Sequence, residues 1–254
     1  MDILASKANS IFTITFNRPK KKNAITAEMY QTMADALKEA ESDAEVRAIL
    51  FTGKPEIFTA GNDLEDFMKN PPQKRNSPVY QFMQNLSQAT KPVIAAVSGP
   101  AVGIGTTLLM HCDFVYAADN AKFSMPFAKL GLCPEFSSSM LLPQIAGYQR
   151  AAEKLMLGEA FSAQEACAMG LVNKVLPPAE VLAFAEAQAA KLAALPTSSL
   201  RATKRLMKGK QLAAIKAKMQ EEGQLFSKLL VSKEAKEAFT AFFEKRKPDF
   251  IKFK

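Results

Sequence analysis

The sequence predicts an α/β fold in the first two thirds of the chain and an all-helical last third. Short strand-like runs alternate with amphipathic helical patterns up to about residue 176, whereas from Pro178 onwards the chain is rich in Ala, Lys, Glu and Leu. With 254 residues and 48% hydrophobic content, the chain fits one large domain. We divide it into a core over 1–190 and a helical region over 191–254.

The first half of the predicted core combines strands with two long helices. Ser10–Phe16 alternates apolar and polar residues, as a half-buried strand does, and Val46–Thr52 is more apolar and therefore more central. Thr26 is placed to cap a helix that runs to about Glu41 with apolar residues along one face. The next elements are a short helix from about Asp63, a helix over Val79–Thr90 and a strand over Pro92–Val97.

The second half of the predicted core has shorter elements with clear boundary signals. Ser162 and Glu165 have the spacing of a capping box, and Gly170 stands where that short helix must end. Earlier in the chain, the polar, proline-broken stretch Asn70–Pro78 is expected to be a mobile loop. The remaining predicted elements are a helix over Gly103–His111 and strands over Asp113–Ala118, Lys122–Ser124 and Leu171–Leu176.

The chain carries 33 Lys and Arg against 25 Asp and Glu, which gives a formal net charge of +8. Such a balance suits nucleic acid, a membrane surface or an anionic nucleotide. Much of the excess lies in three runs, Lys20–Lys22, Arg201–Lys210 and Lys245–Lys254. We interpret the last two runs as solvated surface and expect no nucleic-acid partner.

The sequence suggests a reducing, intracellular compartment. Three widely spaced cysteines do not form a disulfide framework. Residues 1–12 lack the pattern of a secretory signal, and the C-terminus is not a Ser-Lys-Leu address. The apolar run Pro92–Met110 contains two prolines and three glycines, a pattern of strand, turn and helix rather than of a membrane span. We expect a cytoplasmic bacterial protein, or a peroxisomal or mitochondrial matrix protein if the chain is a trimmed form.

Several common catalytic arrangements are absent from the sequence. His111 is the single histidine, and its apolar surroundings favour a packed residue at a helix end over a catalytic one. No Walker loop or metal-ligand motif is present, so we expect no metal. Gly103-Ile-Gly105 follows a strand, as a dinucleotide-binding turn does, but Leu108 occupies the place of the third glycine.

Two segments combine small residues with the start of a helix. In Phe58–Leu64 (FTAGNDL), Ala60 and Gly61 let the backbone approach a ligand, and Asn62 then begins a helical turn. Gly103-Ile-Gly105 likewise exposes N–H groups at a helix N-terminus. Each segment alone is an ordinary entry into a helix, but two such donors converging on one oxygen would form an oxyanion hole.

These segments, in this order and at this separation, resemble the enoyl-CoA hydratase/isomerase (crotonase) superfamily. The similarity rests on Phe58–Leu64, on Ser98–Gly105 (SGPAVGIG) after a strand, and on His111-Cys-Asp113. It extends over nearly the whole chain, through Asn17-Arg-Pro19 and Phe161–Gly170. The resemblance implies a crotonase-like spiral of ββα units, with C-terminal helices that build a homotrimer, in some members paired into a hexamer.

The resemblance also implies an acyl-CoA thioester substrate. The N–H groups of Asn62 and Ile104 would hold the thioester oxygen while negative charge develops on it. The acyl thioester and the adenine would lie beside a loop made of Ala60, Gly61, Asn62, Asp63 and Leu64. The CoA phosphates meet basic side chains in the family, for which Arg18 and Lys20–Lys22, Lys21 among them, are candidates. A plain solvated turn is the alternative for these side chains.

The acid–base residues decide which reaction a member of this superfamily performs. Hydratases of the family use two glutamates, and the matching positions here are Thr107 and Phe127, which have no carboxylate. Glu135 lies among apolar neighbours that suggest burial and a raised pKa, although a surface glutamate at a helix N-terminus is the alternative. The pattern Pro-Glu-x-x-Ser-Ser around Glu135 is similar to peroxisomal-type delta(3)-delta(2)-enoyl-CoA isomerases, in which this glutamate is the single catalytic base.

The resemblance therefore implies isomerisation of a 3-enoyl-CoA, cis or trans, to trans-2-enoyl-CoA in fatty-acid β-oxidation. Glu135 would move one proton between carbons without a cofactor, since CoA is part of the substrate. Candidate apolar walls that exclude water are Leu64, Phe67, Met68 and Phe136, each equally suited to the core. Thioester hydrolysis or decarboxylation by the same oxyanion hole is an alternative, as is a non-catalytic acyl-CoA or RNA binder.

The apolar residues of the helical last third leave a face that needs cover. The cover could come from other copies in a trimer, from an independent bundle, or from the core if the helices act as a lid. The residues of this face are Leu225, Phe226, Leu229, Leu230, Phe239, Phe242 and Phe243.

Overall fold

The computed structural model describes residues 1–54, 56–70 and 76–253. The stretch Asn70–Pro78 that the sequence predicts to be mobile falls largely on residues 71–75, outside the described residues. The strands are β1 Ile3–Ala8, β2 Ile11–Phe16, β3 Ala48–Thr52, β4 Val93–Val97, β5 Pro100–Val102, β6 Phe114–Ala118, β7 Lys122–Ser124, β8 Phe161–Ser162 and β9 Lys174–Leu176. The α-helices are α1 Ala27–Ser42, α2 Leu64–Lys69, α3 Pro78–Ser87, α4 Ile104–Thr107, α5 Ser138–Ala146, α6 Tyr148–Ala152, α7 Ala163–Ala168, α8 Val181–Ala194, α9 Thr197–Lys208, α10 Leu212–Leu230 and α11 Lys233–Phe243.

The strands form a six-stranded sheet and a three-stranded sheet. The larger sheet has the order β1-β2-β3-β4-β6-β9 and is parallel apart from the antiparallel pair β1 and β2. The smaller sheet has the order β5-β7-β8, with β5 parallel and β8 antiparallel to β7. From β4 onwards the chain passes back and forth between the two sheets, so that strand ends and connecting turns collect between them.

Helices cover the larger sheet on both faces, so its central strands are buried along their whole length. All five residues of β3 and of β4 are buried, as expected for parallel strands inside an α/β fold. On one face, α1 and α3 pack with side chains such as Phe51 and Phe82 into the main core. On the other face, Ala185 and Ala189 of α8 lie against the sheet in a second, smaller core.

The structure confirms most of the predicted elements and their boundary signals. Thr26 caps α1, because its hydroxyl accepts a hydrogen bond from the Met29 amide at 3.3 Å. Ser162 and Glu165 form the predicted capping box at the start of α7. Helix α8 continues past residue 190 to Ala194, so the proposed division of the chain falls inside a helix, and the division itself stays a prediction.

Several elements differ from the sequence-based predictions, among them the short strands β5 and β8, which were not predicted. Strand β1 was not predicted, because only Ile3 of its six residues is buried and no alternation marks it. The predicted helix over Gly103–His111 is α4 followed by a 3-10 turn over Leu108–His111. The predicted strand over Leu171–Leu176 is shorter, because Leu171 is buried in the turn before β9.

No helix in the described ranges is both long enough and apolar enough to cross a bilayer.

Candidate active site

A cavity of about 470 Å³ opens between the loops that follow the strands and the last two helices. Its walls are mostly apolar. Loops supply one side, and aromatic side chains of α10 and α11 supply the other. The described lining residues include Lys21, Ala60, Gly61, Asn62, Asp63, Leu64, Glu65, Phe67, Ile104, Phe127, Leu132, Glu135, Phe226, Phe239, Phe242 and Phe243.

Thr59 joins the two glycine-containing segments of the cavity. Its amide donates to the Pro100 carbonyl at 3.0 Å, and its carbonyl accepts from the Val102 amide at 3.0 Å. At Gly61, which has φ +86°, an added Cβ would lie 2.8 Å from the Val102 carbonyl oxygen. Only glycine fits this close approach without strain, so the local sequence itself brings the two segments together.

The predicted oxyanion donors are unpaired amides in this cavity. The neighbouring amides of Ala60, Gly61 and Asp63 all donate hydrogen bonds within the protein. Those of Asn62 and Ile104 donate none to any described residue. Ile104 is the first residue of α4, and the first amides of a helix have no partner inside it. Both N–H groups therefore belong to residues that line the cavity and are not used within the described structure.

The side chain of Asn62 accepts a hydrogen bond from a buried tyrosine. The Tyr30 hydroxyl donates to Asn62 Oδ1 at 2.5 Å. Burial, with a smaller contribution from the charge of Glu135, raises the pKa of Tyr30 well above its ordinary value. Tyr30 therefore stays a neutral donor. No sequence pattern identifies it as a site residue, because a tyrosine on the inner face of an amphipathic helix is typical of a core residue.

Glu135 is the buried carboxyl of the cavity. It is 8% exposed, and Oε1 has no hydrogen-bond partner among the described residues. Burial, followed by the nearby negative charge of Glu222, raises the pKa of Glu135 from 4.5 to about 8. The other described carboxyls that line the cavity differ: Asp63 forms an ion pair with Arg18, and Glu65 is exposed. Glu135 is thus the group suited to accept and return a proton near neutral pH.

The loop that follows Glu135 has an unusual backbone. Phe136 and Ser137 both have positive φ, 57° and 58°, before α5 begins. The Ser138 hydroxyl donates to the Glu135 carbonyl at 2.6 Å. Consecutive left-handed residues other than glycine are disfavoured unless surrounding contacts hold them, and such strain is common at functional sites.

His111 is a packed residue, as the sequence predicts. It is fully buried, its ring stacks on Phe136 with centroids 3.8 Å apart, and Nε2 lies 2.8 Å from the Phe136 carbonyl oxygen. Burial lowers the pKa of His111 to about 3, so the ring is neutral and Nε2 carries the proton that it donates. His111 therefore supports the loop after Glu135 and is not a base.

The two positions that carry glutamates in hydratases have no acid function here. Thr107 is fully buried, is not among the described lining residues, and its hydroxyl has no partner in the described structure. Phe127 does line the cavity, as an apolar side chain. Among the described residues that line the cavity, Glu135 is therefore the single buried carboxyl, and Asn62 and Ile104 have unpaired amides.

The predicted substrate-binding residues divide into two groups. Ala60, Gly61, Asn62, Asp63, Leu64, Ile104 and Lys21 all line the cavity. Arg18 does not; its guanidinium contacts Asp63 at 2.7 Å and Asp2 at 3.2 Å, so it holds the loop rather than facing the ligand space. Its predicted contact with phosphate stays a prediction.

The predicted apolar walls are also divided. Leu64 and Phe67 line the cavity, whereas Met68 is more than half exposed and Phe136 is buried in the core against His111.

Part of the apolar face of the last third lies against the cavity. Its four phenylalanines are lining residues: Phe226, Phe239, Phe242 and Phe243. Sequence reasoning identified these residues as needing cover but did not assign them to the site, because their partners are distant in sequence.

The geometry defines an α/β protein whose cavity is lined by two residues with unpaired backbone amides, Asn62 and Ile104, and by one buried carboxyl, that of Glu135. The family model described as enoyl-CoA hydratase/isomerase matches residues 6–252 of the chain. The chain belongs to this family, and its fold is the crotonase fold, as the sequence resemblance implied.

Individual relatives agree with this assignment. A rat protein named enoyl-CoA delta isomerase 2 is 38% identical over 252 residues, which cover 97% of this chain and 64% of the rat protein. An Escherichia coli K12 protein named 2,3-dehydroadipyl-CoA hydratase is 32% identical over 250 residues, 98% of each chain. A crystal structure of an enoyl-CoA hydratase/isomerase from Pseudoalteromonas atlantica T6c matches with a TM-score of 0.94 and 39% identity, covering 98% of this chain and all of that one. The chain thus spans a little under two thirds of the rat relative's length.

Proposed function

We propose that the protein is an acyl-CoA enzyme that isomerises 3-enoyl-CoA, cis or trans, to trans-2-enoyl-CoA, a reaction of fatty-acid β-oxidation. The observation that carries the proposal is the single buried carboxyl of Glu135, with a pKa raised to about 8, in the same cavity as the free amides of Asn62 and Ile104. A base for this reaction must lose and regain one proton near neutral pH, which such a carboxyl does.

The reaction needs two groups that the cavity contains. Glu135 takes a proton from C2 of the substrate, and the C–H electron pair forms the C2–C1 double bond of a dienolate. The amides of Asn62 and Ile104 donate hydrogen bonds to the thioester oxygen, which becomes negative in this step. Glu135 then gives the proton to C4, where the C3–C4 π pair forms the new C–H bond. The C1–C2 pair becomes the C2–C3 double bond, and the oxygen regains its carbonyl character.

Isomerisation fits the residue inventory better than hydration does. Hydration needs groups that position a water molecule and protonate the carbon that receives no oxygen, and the two positions where hydratases carry glutamates are Thr107 and Phe127 here. The cavity walls beside Glu135 are apolar, with Leu132 and Phe127 among the lining residues. An apolar wall keeps water away from the dienolate, which favours the return of the same proton.

The remaining assignments extend the same proposal. The loop Ala60–Leu64 is proposed to hold the thioester and the adenine, and Lys21 to meet a CoA phosphate. Exposed apolar residues in the helical region, such as Leu206 and Met207, support the proposed homotrimer, which sedimentation equilibrium would test. A cytoplasmic location and independence from any metal or cofactor are part of the same proposal.

The test is a comparison of substrates with purified protein. We expect 3-hexenoyl-CoA to be converted to the conjugated trans-2-hexenoyl-CoA, followed by absorbance and by chromatography of the product. With trans-2-hexenoyl-CoA as the substrate, we expect little 3-hydroxyhexanoyl-CoA. Rapid hydration of the conjugated thioester, or release of free CoA or carbon dioxide in place of isomerisation, would contradict the proposal.

A further inference from the structure

We propose that Glu222 is a positioning residue for Glu135: it holds the loop after Glu135 in its working conformation and keeps a second negative charge beside the base. The loop meant here is Glu135–Ser139. This inference deepens the proposed function and rests on it, because Glu135 is the group whose geometry and charge state it concerns.

Glu222 lies on α10 and contacts this loop with both carboxylate oxygens. Oε2 accepts a hydrogen bond from the Ser137 amide at 2.5 Å. Oε1 accepts one from the Ser139 amide at 3.0 Å and another from the Ser139 hydroxyl at 2.5 Å. Glu222 is 4% exposed, so these three charge-assisted bonds form in an environment that excludes water and strengthens them. All three donors lie within four residues of Glu135.

The start of α5 explains why the loop needs this contact. Ser137 is the N-cap of α5, but its hydroxyl donates to the Ile215 carbonyl at 2.8 Å and makes no cap bond. The first amides of a helix require an acceptor from outside it, and a negative charge is favourable at that end. Glu222, which lies on α10, supplies both the acceptor and the negative charge. It thereby stabilises the positive φ angles of Phe136 and Ser137, on which the direction of the chain after Glu135 depends.

The charge of Glu222 also acts on Glu135. After burial, it is the second cause of the raised pKa of Glu135, because a nearby like charge disfavours the ionised form. Burial also raises the pKa of Glu222, while the three hydrogen bonds from Ser137 and Ser139 favour its charged form. Removal of this charge should therefore make Glu135 a weaker base, with a lower pKa.

The other titratable groups around the pair do not replace Glu222. Lys218, one turn earlier on α10, lowers the pKa of Glu222 and forms an ion pair with the exposed Glu221. Tyr30 from α1 and Cys133 from the preceding loop have raised pKa values and are neutral near pH 7. His111, behind Phe136, is neutral because its pKa is lowered to about 3. Glu222 is therefore the charged group that the loop itself contacts.

Three variants separate the two roles. Glu222→Gln removes the negative charge and places an NH₂ donor where the loop offers only donors. It should therefore weaken the hold on the loop and also remove the effect of the charge on Glu135. Glu222→Asp keeps the charge but is too short to reach both Ser137 and Ser139. Glu221→Gln is the matched control, because it removes the same charge from the adjacent, exposed position.

The experiment measures kcat/KM for 3-hexenoyl-CoA against pH, together with thermal unfolding of each variant. For Glu222→Gln we expect kcat/KM at high pH to fall about 10- to 100-fold, as for a misplaced catalytic group. The pH midpoint, at which kcat/KM reaches half of its plateau, should fall by about one unit. For Glu222→Asp we expect a similar loss in rate with the midpoint unchanged. If Glu222→Gln does not fold, Ser139→Ala, which removes one of the three bonds, should lower kcat/KM about fivefold without moving the midpoint.

A second measurement distinguishes this inference from the proposed function. The titration of Glu135 is followed by carbon-13 NMR of protein labelled at glutamate carboxyls, with Glu135→Gln to assign the signal. A lower pKa of Glu135 in Glu222→Gln supports the inference even if the protein does not isomerise 3-hexenoyl-CoA. If wild-type protein isomerises the substrate while Glu222→Gln keeps the wild-type rate and the wild-type titration of Glu135, the inference is wrong and the proposed function stands. Equal losses in Glu221→Gln and Glu222→Gln would overturn it as well.

Discussion

The two sides of the cavity are built in different ways. On the amide side, the donors of Asn62 and Ile104 belong to the backbone, and contacts among residues 59–62 and 100–105 hold them in place. On the carboxyl side, Glu135 is a side chain whose loop is held by Glu222, 85 residues away from Ser137 in the sequence. The amide side is therefore held by contacts within the first 105 residues, whereas the loop on the carboxyl side is also held by the helical last third.

The difference assigns separate physical tasks to the two sides. Backbone amides have fixed dipoles and no ionisation state, so they stabilise negative charge equally at any pH. A buried carboxyl has a charge state that depends on its surroundings, so its reactivity can be adjusted by distant residues. Substitutions on the amide side should change rates without moving pH profiles. On the carboxyl side, substitutions that remove a charge should change both.

The largest expected effect comes from removal of the carboxyl itself. Glu135→Gln keeps the size of the side chain but cannot accept the C2 proton, and we expect kcat/KM for 3-hexenoyl-CoA to fall by at least about 10³-fold. The matched control is Glu65→Gln, a carboxyl that lines the same cavity but is exposed. This control should stay within about threefold of wild type. Unimpaired turnover by Glu135→Gln would remove Glu135 from the mechanism.

The second-largest expected effect comes from a substitution on the amide side of the cavity. In Gly61→Ala, the new Cβ would lie 2.8 Å from the Val102 carbonyl and push the Asn62 amide away from its position. We expect kcat/KM to fall about 100-fold, in the range for loss of one oxyanion donor, with the pH midpoint unchanged.

A matched glycine shows whether strain alone accounts for this loss. Gly147 has a similar φ, +81° against +86° at Gly61, but an added Cβ there meets nothing within 4 Å. Gly147→Ala should lose stability in thermal unfolding and retain its activity. Equal activity losses in the two variants would show that the close approach at Gly61 does not matter for the site.

The pH dependence of kcat/KM reports the carboxyl side directly. Because the pKa of Glu135 is raised to about 8 and the reactive form is the carboxylate, activity should rise with pH and reach half of its plateau near pH 8. At pH 6 we expect about 1% of the plateau value, since the ionised fraction falls tenfold per unit. A profile that is flat between pH 6 and pH 9 would contradict a base with this pKa.

The smallest expected effect on turnover comes from Thr107, which is compared here with its neighbour Thr106 on α4. The Thr107 hydroxyl is buried without a partner, so Thr107→Val should leave kcat/KM within about twofold and leave stability unchanged or higher. The Thr106 hydroxyl donates to the Ala101 carbonyl at 2.6 Å, so Thr106→Val should cost about 1–3 kcal/mol of unfolding free energy. Thermal or urea unfolding of both variants checks the difference. A large loss of turnover in Thr107→Val would give this position a role in the reaction.

The two sides of the cavity also differ in how much of each could be predicted from the sequence. The exposed amides of Phe58–Leu64 were predicted from its own residues, because small residues before a helix turn expose amides wherever they occur. Their role as oxyanion donors was implied by the family resemblance. The apolar neighbours of Glu135 predicted its burial and raised pKa. Its role as the base came from the resemblance to isomerases, since an isolated glutamate before a helix is typical of a solvated N-terminus. No local pattern indicates the contact of its loop with Glu222 of α10.

The elements that prediction missed have physical reasons as well. Strand β1 belongs to a hairpin whose turn residues, Asn9 and Ser10, both have positive φ, and Ser is an unusual residue for that turn. Glu222 was not identified because a glutamate within a Lys- and Glu-rich helix normally faces solvent. Four phenylalanines of the last third were recognised as a face that needs cover, but only the folded chain shows that they line the cavity.

The most direct test of the account follows a labelled hydrogen through one turnover. 3-Hexenoyl-CoA with two deuterium atoms on C2 is mixed with excess enzyme in ordinary water, and the product is analysed by mass spectrometry and proton NMR. If one buried carboxyl removes the C2 hydrogen and returns it, deuterium should be found on C4 of the trans-2-hexenoyl-CoA. A product whose new C4 hydrogen comes only from solvent, even at the earliest times, would contradict the account.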